Sequence, residues 1–281
     1  MVLMTLLFDN DYQFHQPHTA SLSEQEQVLA GQRGDAREAS RKEGIMLKRM
    51  KTITIVAVTV LLAWASTAPA DQKSYVWTYD YSTLARDSAE VELYQTSVTR
   101  DRQMSDTSDW KQQIEIEYGI TDHLDAGLYQ VFEQPTGGAF TYEGFKARLR
   151  YRVAEKDRLP VDVLLYAEHV ESTTEDSEFE GKLVLAKDVG RLNMAYNQIF
   201  EKKYKNGSSV ENAYAAGISY EVTPAFRLCV ESKGNFKDNT YAAGPTLAWS
   251  GGRIWANIGA VFALNDRTND REIRLLMGIP F

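Results

Sequence analysis

Four basic side chains occupy alternate positions of one segment: Lys146, Arg148, Arg150 and Arg152. Successive side chains of a β-strand point to opposite faces, so an extended segment would place all four on one face, about 6.6–6.8 Å apart, as a continuous positive track. Acidic pairs with the same spacing occur in two other segments: Glu115 and Glu117, and Glu178 and Glu180. Opposed rows of charge either pair with one another or orient charged solutes along a water-filled path.

The strands that must position these charges recur along most of the chain. Stretches of roughly ten residues that alternate apolar and polar side chains are typical of membrane β-barrels. Such stretches cover residues 89–100, 110–120, 124–133, 140–153, 161–170, 178–187, 192–203, 213–222, 226–236, 241–249, 254–264 and 272–281. We find no convincing helical pattern after residue 70. Short connections mostly alternate with long ones, as expected when periplasmic turns are short and outer loops are longer.

One earlier stretch, residues 75–81, also alternates and would make a thirteenth strand. If the last strand ends in the periplasm, a thirteenth strand would begin outside the cell, and single-chain bacterial barrels have an even number of strands. We therefore predict an all-β fold over residues 89–281, a transmembrane antiparallel up-and-down β-barrel of about 12 strands. Residues 71–88 are then a periplasmic or lumenal lead-in to the barrel.

Alternation also assigns the two faces of each strand. Leu149 and Tyr151 would face lipid, so the basic row, whose positions alternate with theirs, would point into the lumen. The reverse arrangement is excluded because an Arg or Lys at the bilayer midplane costs roughly 2–4 kcal/mol. The sequence leaves two interpretations open: ion-paired side chains fill a narrow lumen, or charge rows border an open path.

The C-terminal segment has the form of an insertion signal. Its outward face would consist of apolar residues at every second position, ending on an aromatic residue: Ile273, Leu275, Met277, Ile279 and Phe281. A terminal strand of this kind resembles the recognition signal at the end of bacterial outer-membrane barrels. We therefore expect the barrel-assembly machinery and outer-membrane lipid as partners.

Residues 46–70 are typical of a secretory signal peptide, with its helical apolar region. A basic segment at residues 46–51 precedes an uncharged apolar run at residues 53–65, and Ala68 and Ala70 form a small-x-small cleavage site before Asp71. The run is shorter than the roughly 20 residues of a transmembrane helix, and an uncleaved N-terminal anchor is the alternative. Residues 1–45 are interpreted as the product of a start codon assigned too early, or as a disordered extension.

Composition limits the other classes of function. A net charge of −8 gives no support to nucleic-acid binding. Cys229 is the only cysteine, so no intramolecular disulfide can form, and no His/Cys cluster has the spacing of a metal site. Neither His123 nor His169 has a serine at a recognisable spacing, which disfavours an acyl hydrolase. We therefore expect neither a cofactor nor enzymatic activity.

Four segments carry a resemblance to a known family: residues 114–121 (IEIEYGIT), 143–152 (EGFKARLRYR), 178–185 (EFEGKLVL) and 244–249 (GPTLAW). They resemble a family of uncharacterised Gram-negative outer-membrane β-barrels, similar to the transporter-like barrels found beside phenol-degradation genes. The resemblance implies a barrel in the outer membrane of a Gram-negative bacterium. Its motifs are strand and turn patterns, so it implies no catalytic residues and no particular solute.

The sequence therefore predicts a narrow porin-like channel or transporter for small polar or charged solutes. A structural or assembly barrel with a plugged lumen is the first alternative, and an outer-membrane lipid hydrolase is a further one. The oligomeric state and the identity of the solute stay open.

The position of the cleavage site can be tested directly. Translation from Met46 or Met50 should suffice for export, because the basic segment, the apolar run and the cleavage site all follow within residues 46–70. N-terminal sequencing of the protein from membranes should find Asp71 as the first residue. Retention of residues 1–45 on the native protein would contradict this interpretation.

Overall fold

A computed structural model describes residues 73–101, 108–205 and 207–281. Residues 1–45 and the predicted signal peptide at residues 46–70, with its cleavage site at Ala68, Ala70 and Asp71, lie outside the described residues.

In the described residues the chain forms twelve β-strands. They are β1 (Ala89–Thr99), β2 (Ser108–Thr121), β3 (Leu124–Gln134), β4 (Thr141–Arg152), β5 (Asp162–Ser172), β6 (Glu178–Val189), β7 (Leu192–Lys203), β8 (Glu211–Thr223), β9 (Phe226–Asn235), β10 (Thr240–Gly251), β11 (Ile254–Ala263) and β12 (Arg271–Pro280). Each predicted strand coincides with one of these to within two residues at either end. Backbone pairing extends some strands past the alternating pattern, as where Ser108 pairs with Thr99.

The strands form one closed antiparallel barrel in chain order. β1 pairs with both β2 and β12, so the sheet has no open edge. Tight turns mostly alternate with longer connections, with the nine residues between β4 and β5 as the exception, and Gly190 and Gly252 adopt positive φ angles of 61° and 64° in two of the tight turns. Among the described residues, no helix combines the length and hydropathy needed to cross a membrane. The predicted fold is confirmed.

Side-chain exposure follows the predicted alternation. On the outer face, Ile116 is 55% exposed and Leu149 is 50% exposed, while the neighbouring Glu115 and Arg148 are buried inside the barrel. The same alternation holds on β12, where Leu275 is exposed on the outer face and Leu276 is buried. The exterior is therefore an apolar surface, and the charged residues of the wall lie within.

The inner face of the barrel has a charged side and a side of small residues. The charged side is on β1–β4, where Glu92 and Asp125 are buried. On β8 and β11, inward positions carry small residues such as Ala215, Gly217 and Gly259. Small residues leave space in the lumen on this side, and another part of the chain occupies that space.

The described part of the lead-in, residues 73–88, contacts inward-facing side chains of the barrel. Tyr75, Val76 and Trp77 are buried, and Val76 and Trp77 pack in one cluster with Trp255 and Leu276. No strand forms at residues 75–81. The alternate aromatic residues of this segment contact different parts of the barrel wall: Tyr75 lies against Gly217, Trp77 against Gly259 and Tyr79 against Tyr166.

A single outward-facing leucine tests which surface contacts lipid. Replacing Leu149 with Arg would place a charge in the hydrocarbon region and should lower the free energy of unfolding by about 2–4 kcal/mol. Urea unfolding in phospholipid vesicles measures the change, and Leu149→Ala is the control for the lost leucine packing. If the Arg variant is as stable as the Ala variant, this face does not contact lipid.

Candidate functional site in the barrel lumen

The four residues of the predicted basic row lie on β4 but have different surroundings. The side chain of Arg148 is completely buried. Its guanidinium donates to Glu115 Oε1 at 2.5 and 2.8 Å, to Glu117 Oε2 at 2.5 Å and to Asp125 Oδ1 at 3.0 Å. The Tyr129 hydroxyl accepts another hydrogen bond at 2.9 Å. A buried guanidinium with this many charged partners is structural, because the barrel interior tolerates the charge only when it is paired.

Arg150 and Arg152 have different surroundings. Arg150 forms a bidentate pair with Asp125, at 2.9 and 2.7 Å, and also pairs with Glu117. Arg152 is the last residue of β4 and pairs with Glu155 in the following connection at 3.2 Å. Carboxylates therefore neutralise both middle arginines of the row, and Arg152 lies at the rim of the barrel.

The outer end of the row pairs with β5 and not with β6. Lys146 donates to Glu168 Oε1 at 3.0 Å. Glu178 and Glu180, the second acidic pair identified in the sequence, form no described hydrogen bond or ion pair with Arg148 or Arg150. Glu180 instead pairs with Lys182 on its own strand, at 2.8 Å. Of the two acidic pairs, Glu115 and Glu117 therefore pair with the middle arginines of the basic row, and Glu178 and Glu180 do not.

The arginines of β4 pair with carboxylates of β2 but not with those of β6, and the reason lies in the intervening strands, β3 and β5. On β3, between β2 and β4, Gly127 has no side chain, and a Cβ there would collide with Glu115 and Arg148. On β5, between β4 and β6, Tyr166 and Glu168 stand beside the two middle arginines. Charged side chains therefore meet across β3, whereas bulky side chains separate them across β5. An inward glycine between two charged strands was the sequence signal for this contact.

Three carboxylates on β1 and β2 come close enough to share a metal ion. Ligand oxygens of Glu92, Glu115 and Glu117 lie within 4.8 Å of one another. Lys73 of the lead-in already pairs with Glu92 and lies 3.7 Å from Glu117, and the Tyr94 hydroxyl lies 2.6 Å from Glu92 and 2.8 Å from Glu115. Burial lowers the pKa of Lys73, but Glu92 and Glu117 outweigh burial and raise that pKa above its ordinary value. A charged lysine thus occupies the place of an ion, and the group is structural.

The lead-in is held by side chains that replace a strand partner. The Glu231 carboxylate accepts the backbone N–H groups of Val76, Trp77 and Thr78 at 2.8–2.9 Å. Asn197 accepts from the Tyr79 N–H at 2.7 Å and donates to the Tyr79 carbonyl at 2.8 Å. These bonds satisfy backbone groups that would otherwise be buried without partners.

Glycines in the barrel wall shape the space for the lead-in. A Cβ at Gly217 would collide with the Tyr75 ring, and one at Gly259 would lie 2.6 Å from the Trp77 ring. Near the end of β2, a Cβ at Gly119 would collide with the backbone of the lead-in. The sequence interpretation missed this site because an inward glycine on one strand does not reveal what it faces.

Two aromatic rings of the lead-in lie against cationic side chains on different parts of the barrel wall. The Trp77 ring is 5.7 Å from Lys233 Nζ and 5.8 Å from the Arg274 guanidinium. The Tyr79 ring is 4.7 Å from Lys182 Nζ and 5.0 Å from the Tyr166 ring. Cation–π contacts of this kind hold both rings at the surface of the remaining lumen.

A cavity of about 450 Å³ remains beside the lead-in. Charged residues that line it include Lys146, Arg150, Glu180, Lys182, Lys233 and Arg274. Of the charge rows singled out from the sequence, Lys146, Arg150, Glu117 and Glu180 reach the cavity, whereas Arg148, Arg152, Glu115 and Glu178 are absent from its lining.

The two histidines after residue 70 lie outside this cavity. His123 Nε2 is 2.9 Å from Glu155, and His169 lies between Tyr204 and Glu171, at 3.1 and 3.2 Å. No described hydrogen bond joins either imidazole to a serine hydroxyl. Their described contacts therefore do not include the nucleophile–base pair that acyl hydrolysis requires.

Comparison with known proteins shows the type of fold. No protein-family model matches the chain, and no curated protein matches its sequence. The COG4313 outer membrane channel from Pseudomonas putida F1 superposes with a TM-score of 0.51 and 13% identity, covering 74% of this chain and 100% of that chain. The KdgM porin gives 0.50 and 11%, covering 68% and 99%, and the NanC porin gives 0.47 and 12%, covering 69% and 98%. The superpositions on the first two of these structures show that the chain has the fold of an outer-membrane β-barrel.

The buried guanidinium provides a test of the wall. Replacing Arg148 with Met should lower the free energy of unfolding by about 3–5 kcal/mol, because Glu115, Glu117 and Asp125 would lose a buried partner. Lys203→Met is the control, since the side chains of Lys203 and of its partner Glu175 are both exposed, and such an ion pair is worth about 1 kcal/mol or less. Urea unfolding in vesicles compares the two variants. Equal losses would mean that water reaches the Arg148 network.

Proposed function

We propose that this chain is a narrow, porin-like channel in the outer membrane of a Gram-negative bacterium, and that small polar or charged solutes are its cargo. The observation that supports this function is the cavity beside the lead-in. Its lining includes Lys111 near the outer end of β2 and Thr268 in the loop between β11 and β12, and also Ser82 and Leu84, close to the periplasmic turns. A polar cavity that extends along the barrel axis is what a solute path requires.

The lead-in sets the width of the proposed path. Glu231 on β9 and Asn197 on β7 hold its backbone within the lumen, so solutes pass through the space beside it, which side chains from most of the strands border. In the barrel wall Arg148 is committed to ion pairs, whereas Lys146 and Lys182 line the cavity. Selectivity for charge therefore belongs to Lys146 and Lys182 more than to the middle of the predicted basic row.

A structural barrel with a plugged lumen is the second candidate, and the lead-in favours it. Glu231 and Asn197 bind the lead-in backbone, and its first aromatic ring rests against Gly217. Such a firmly held segment would also suit a barrel without transport. The two candidates differ in one measurable property, which is ion conductance.

The finer family assignment and the partners belong to this proposal. The strand and turn segments that resemble the transporter-like barrels beside phenol-degradation genes lie on β2, β4, β6 and β10. The apolar outer face supports contact with lipid, and Leu275, Met277, Ile279 and Phe281 at the C-terminus support recognition by the barrel-assembly machinery. The chain carries out no catalysis under this proposal.

Single-channel recording in planar bilayers tests the proposed function. The wild-type barrel should conduct KCl. Replacing Lys146 and Lys182 with Gln should move the reversal potential under a salt gradient towards cation selectivity, because two positive charges leave the path. Lys205→Gln is the control, since Lys205 lies in an exposed outer loop. A wild-type protein without conductance would refute the channel and favour the plugged structural barrel.

A further inference from the structure

We propose that Glu231 is the positioning residue that sets the size limit of the channel. Its carboxylate holds the middle of the lead-in against the wall, and the lead-in in turn narrows the path that solutes take. The inference rests on the proposed channel function and assigns one part of it, the exclusion of larger solutes, to a single residue of the wall.

The described lead-in forms a loop whose two ends lie near the same end of the barrel. Lys73 pairs with Glu92, near the start of β1, and the Leu84 N–H donates to Asp125, near the start of β3. Odd-numbered strands all begin at one end of an antiparallel barrel in chain order. The residues between these two anchors therefore project into the lumen, and residues 76–78 lie near the middle of the loop.

Glu231 binds the backbone at this middle part of the loop. Its two carboxylate oxygens accept the N–H groups of Val76, Trp77 and Thr78 at 2.8–2.9 Å. Oε1 also accepts from the Thr246 hydroxyl at 2.7 Å. No other described acceptor bonds these three N–H groups. Successive N–H groups that converge on one anion form a binding nest, so the carboxylate ties a continuous stretch of backbone to the wall.

The Glu231 carboxylate depends on the lead-in as much as the lead-in depends on it. Glu231 is 1% exposed, and in the described part of the chain no cation lies within ion-pairing distance of it. A buried carboxylate without a cation is stable only when hydrogen bonds compensate its charge, and most of those described here come from the lead-in. Its neighbours on the adjacent strands, Gly217 and Gly244, have no side chains that would separate the carboxylate from the loop. This part of the wall therefore fits the lead-in backbone.

The segment held by Glu231 carries aromatic rings that border the path. Trp77 and Tyr79 both line the cavity, and they flank Thr78, whose N–H donates to Glu231. Wall residues behind the loop are small, such as Ala215, so the lumen widens when the rings leave it. Pore diameter decides which solutes a channel admits. Without the carboxylate, solutes too large for the present path therefore pass.

Loss of Glu231 frees the middle of the loop and leaves the barrel intact. The ring of strands closes through β1 and β12 without the lead-in, and the anchors at Lys73 and Leu84 do not involve Glu231. Arg148 differs in this respect, because its described partners all belong to the wall. The effect of a Glu231 variant should therefore be seen in the path through the barrel.

The only cysteine of the chain reports the position of the lead-in. Cys229 lies two residues before Glu231 on the same face of β9, is buried, and donates to the Ser74 carbonyl at 2.8 Å. The lead-in therefore shields this thiol from a membrane-impermeant methanethiosulfonate reagent.

Thiol labelling of the folded protein in vesicles, followed by mass spectrometry, tests what holds the lead-in. In Glu231→Ala, labelling of Cys229 should become at least about tenfold faster, the effect of losing one hydrogen bond to a charged group. Glu231→Gln keeps the volume and one acceptor oxygen, so it should give a smaller increase, and it serves as the test variant if Glu231→Ala forms no barrel.

Swelling of proteoliposomes in arabinose, glucose, sucrose and raffinose measures the size limit. The wild type should exclude the larger sugars, and Glu231→Ala should admit at least one sugar that the wild type excludes, because the loop no longer narrows the path. Asp162→Ala is the matched control. Asp162 is also a buried carboxylate, but it accepts the Asp157 N–H in the connection between β4 and β5 and has no described bond to the lead-in. The control should change neither the labelling rate nor the size limit.

The two measurements separate this inference from the channel function itself. Heat-modifiable migration on gels shows that each variant has formed a barrel. Unchanged labelling in Glu231→Ala, or an equal increase in Asp162→Ala, would show that Glu231 does not hold the lead-in. Faster labelling with an unchanged size limit would refute the role in size exclusion while the channel stands. If the wild type conducts no KCl, the channel and its size limit are both refuted, and the labelling rates still decide whether Glu231 holds the lead-in.

Discussion

Arg148 is buried in the barrel wall, and a guanidinium in that position is stable only when carboxylates surround it. Glu115, Glu117 and Asp125 meet that requirement, and two of them reach Arg148 across β3 because Gly127 leaves the space free. The pairing connects β2, β3 and β4 through their inner faces. It also decides which charges can act on a solute, because the paired groups are no longer available and the remaining ones lie elsewhere in the lumen.

The backbone of the lead-in meets the same requirement, that buried polar groups have partners. A segment inside a barrel has no neighbouring strand, so its N–H and C=O groups need side-chain partners. Glu231 accepts three consecutive N–H groups, and Asn197 both accepts from and donates to Tyr79. Inward glycines leave room for the aromatic rings of the lead-in. The lead-in is therefore an integral part of the lumen and narrows any path through it. The space that remains is lined largely by charged and aromatic side chains.

Ion pairs offset much of the charge on the cavity walls. Lys146 pairs with Glu168, Lys182 with Glu180, and both Lys233 and Arg274 with Glu272. A wall with strong excess charge of one sign would attract counter-ions and hold them. Walls whose charges are mostly paired instead allow a solute both to bind and to leave.

The sequence by itself determined the strands, their number and their faces. These properties depend on a period of two along each strand and on the cost of placing charge in lipid, and both can be evaluated within ten or so residues. Ile116 and Leu149 therefore lie on the outer face, as predicted, and the residues that precede them in the sequence, Glu115 and Arg148, lie on the inner face. Only the tertiary structure decided which inward charges pair and where the lead-in lies. Glu231 binds Val76 across 155 positions of sequence, and Arg148 meets Glu115 across 33. Such contacts depend on the closure of the barrel, which brings inner faces together regardless of their distance along the chain.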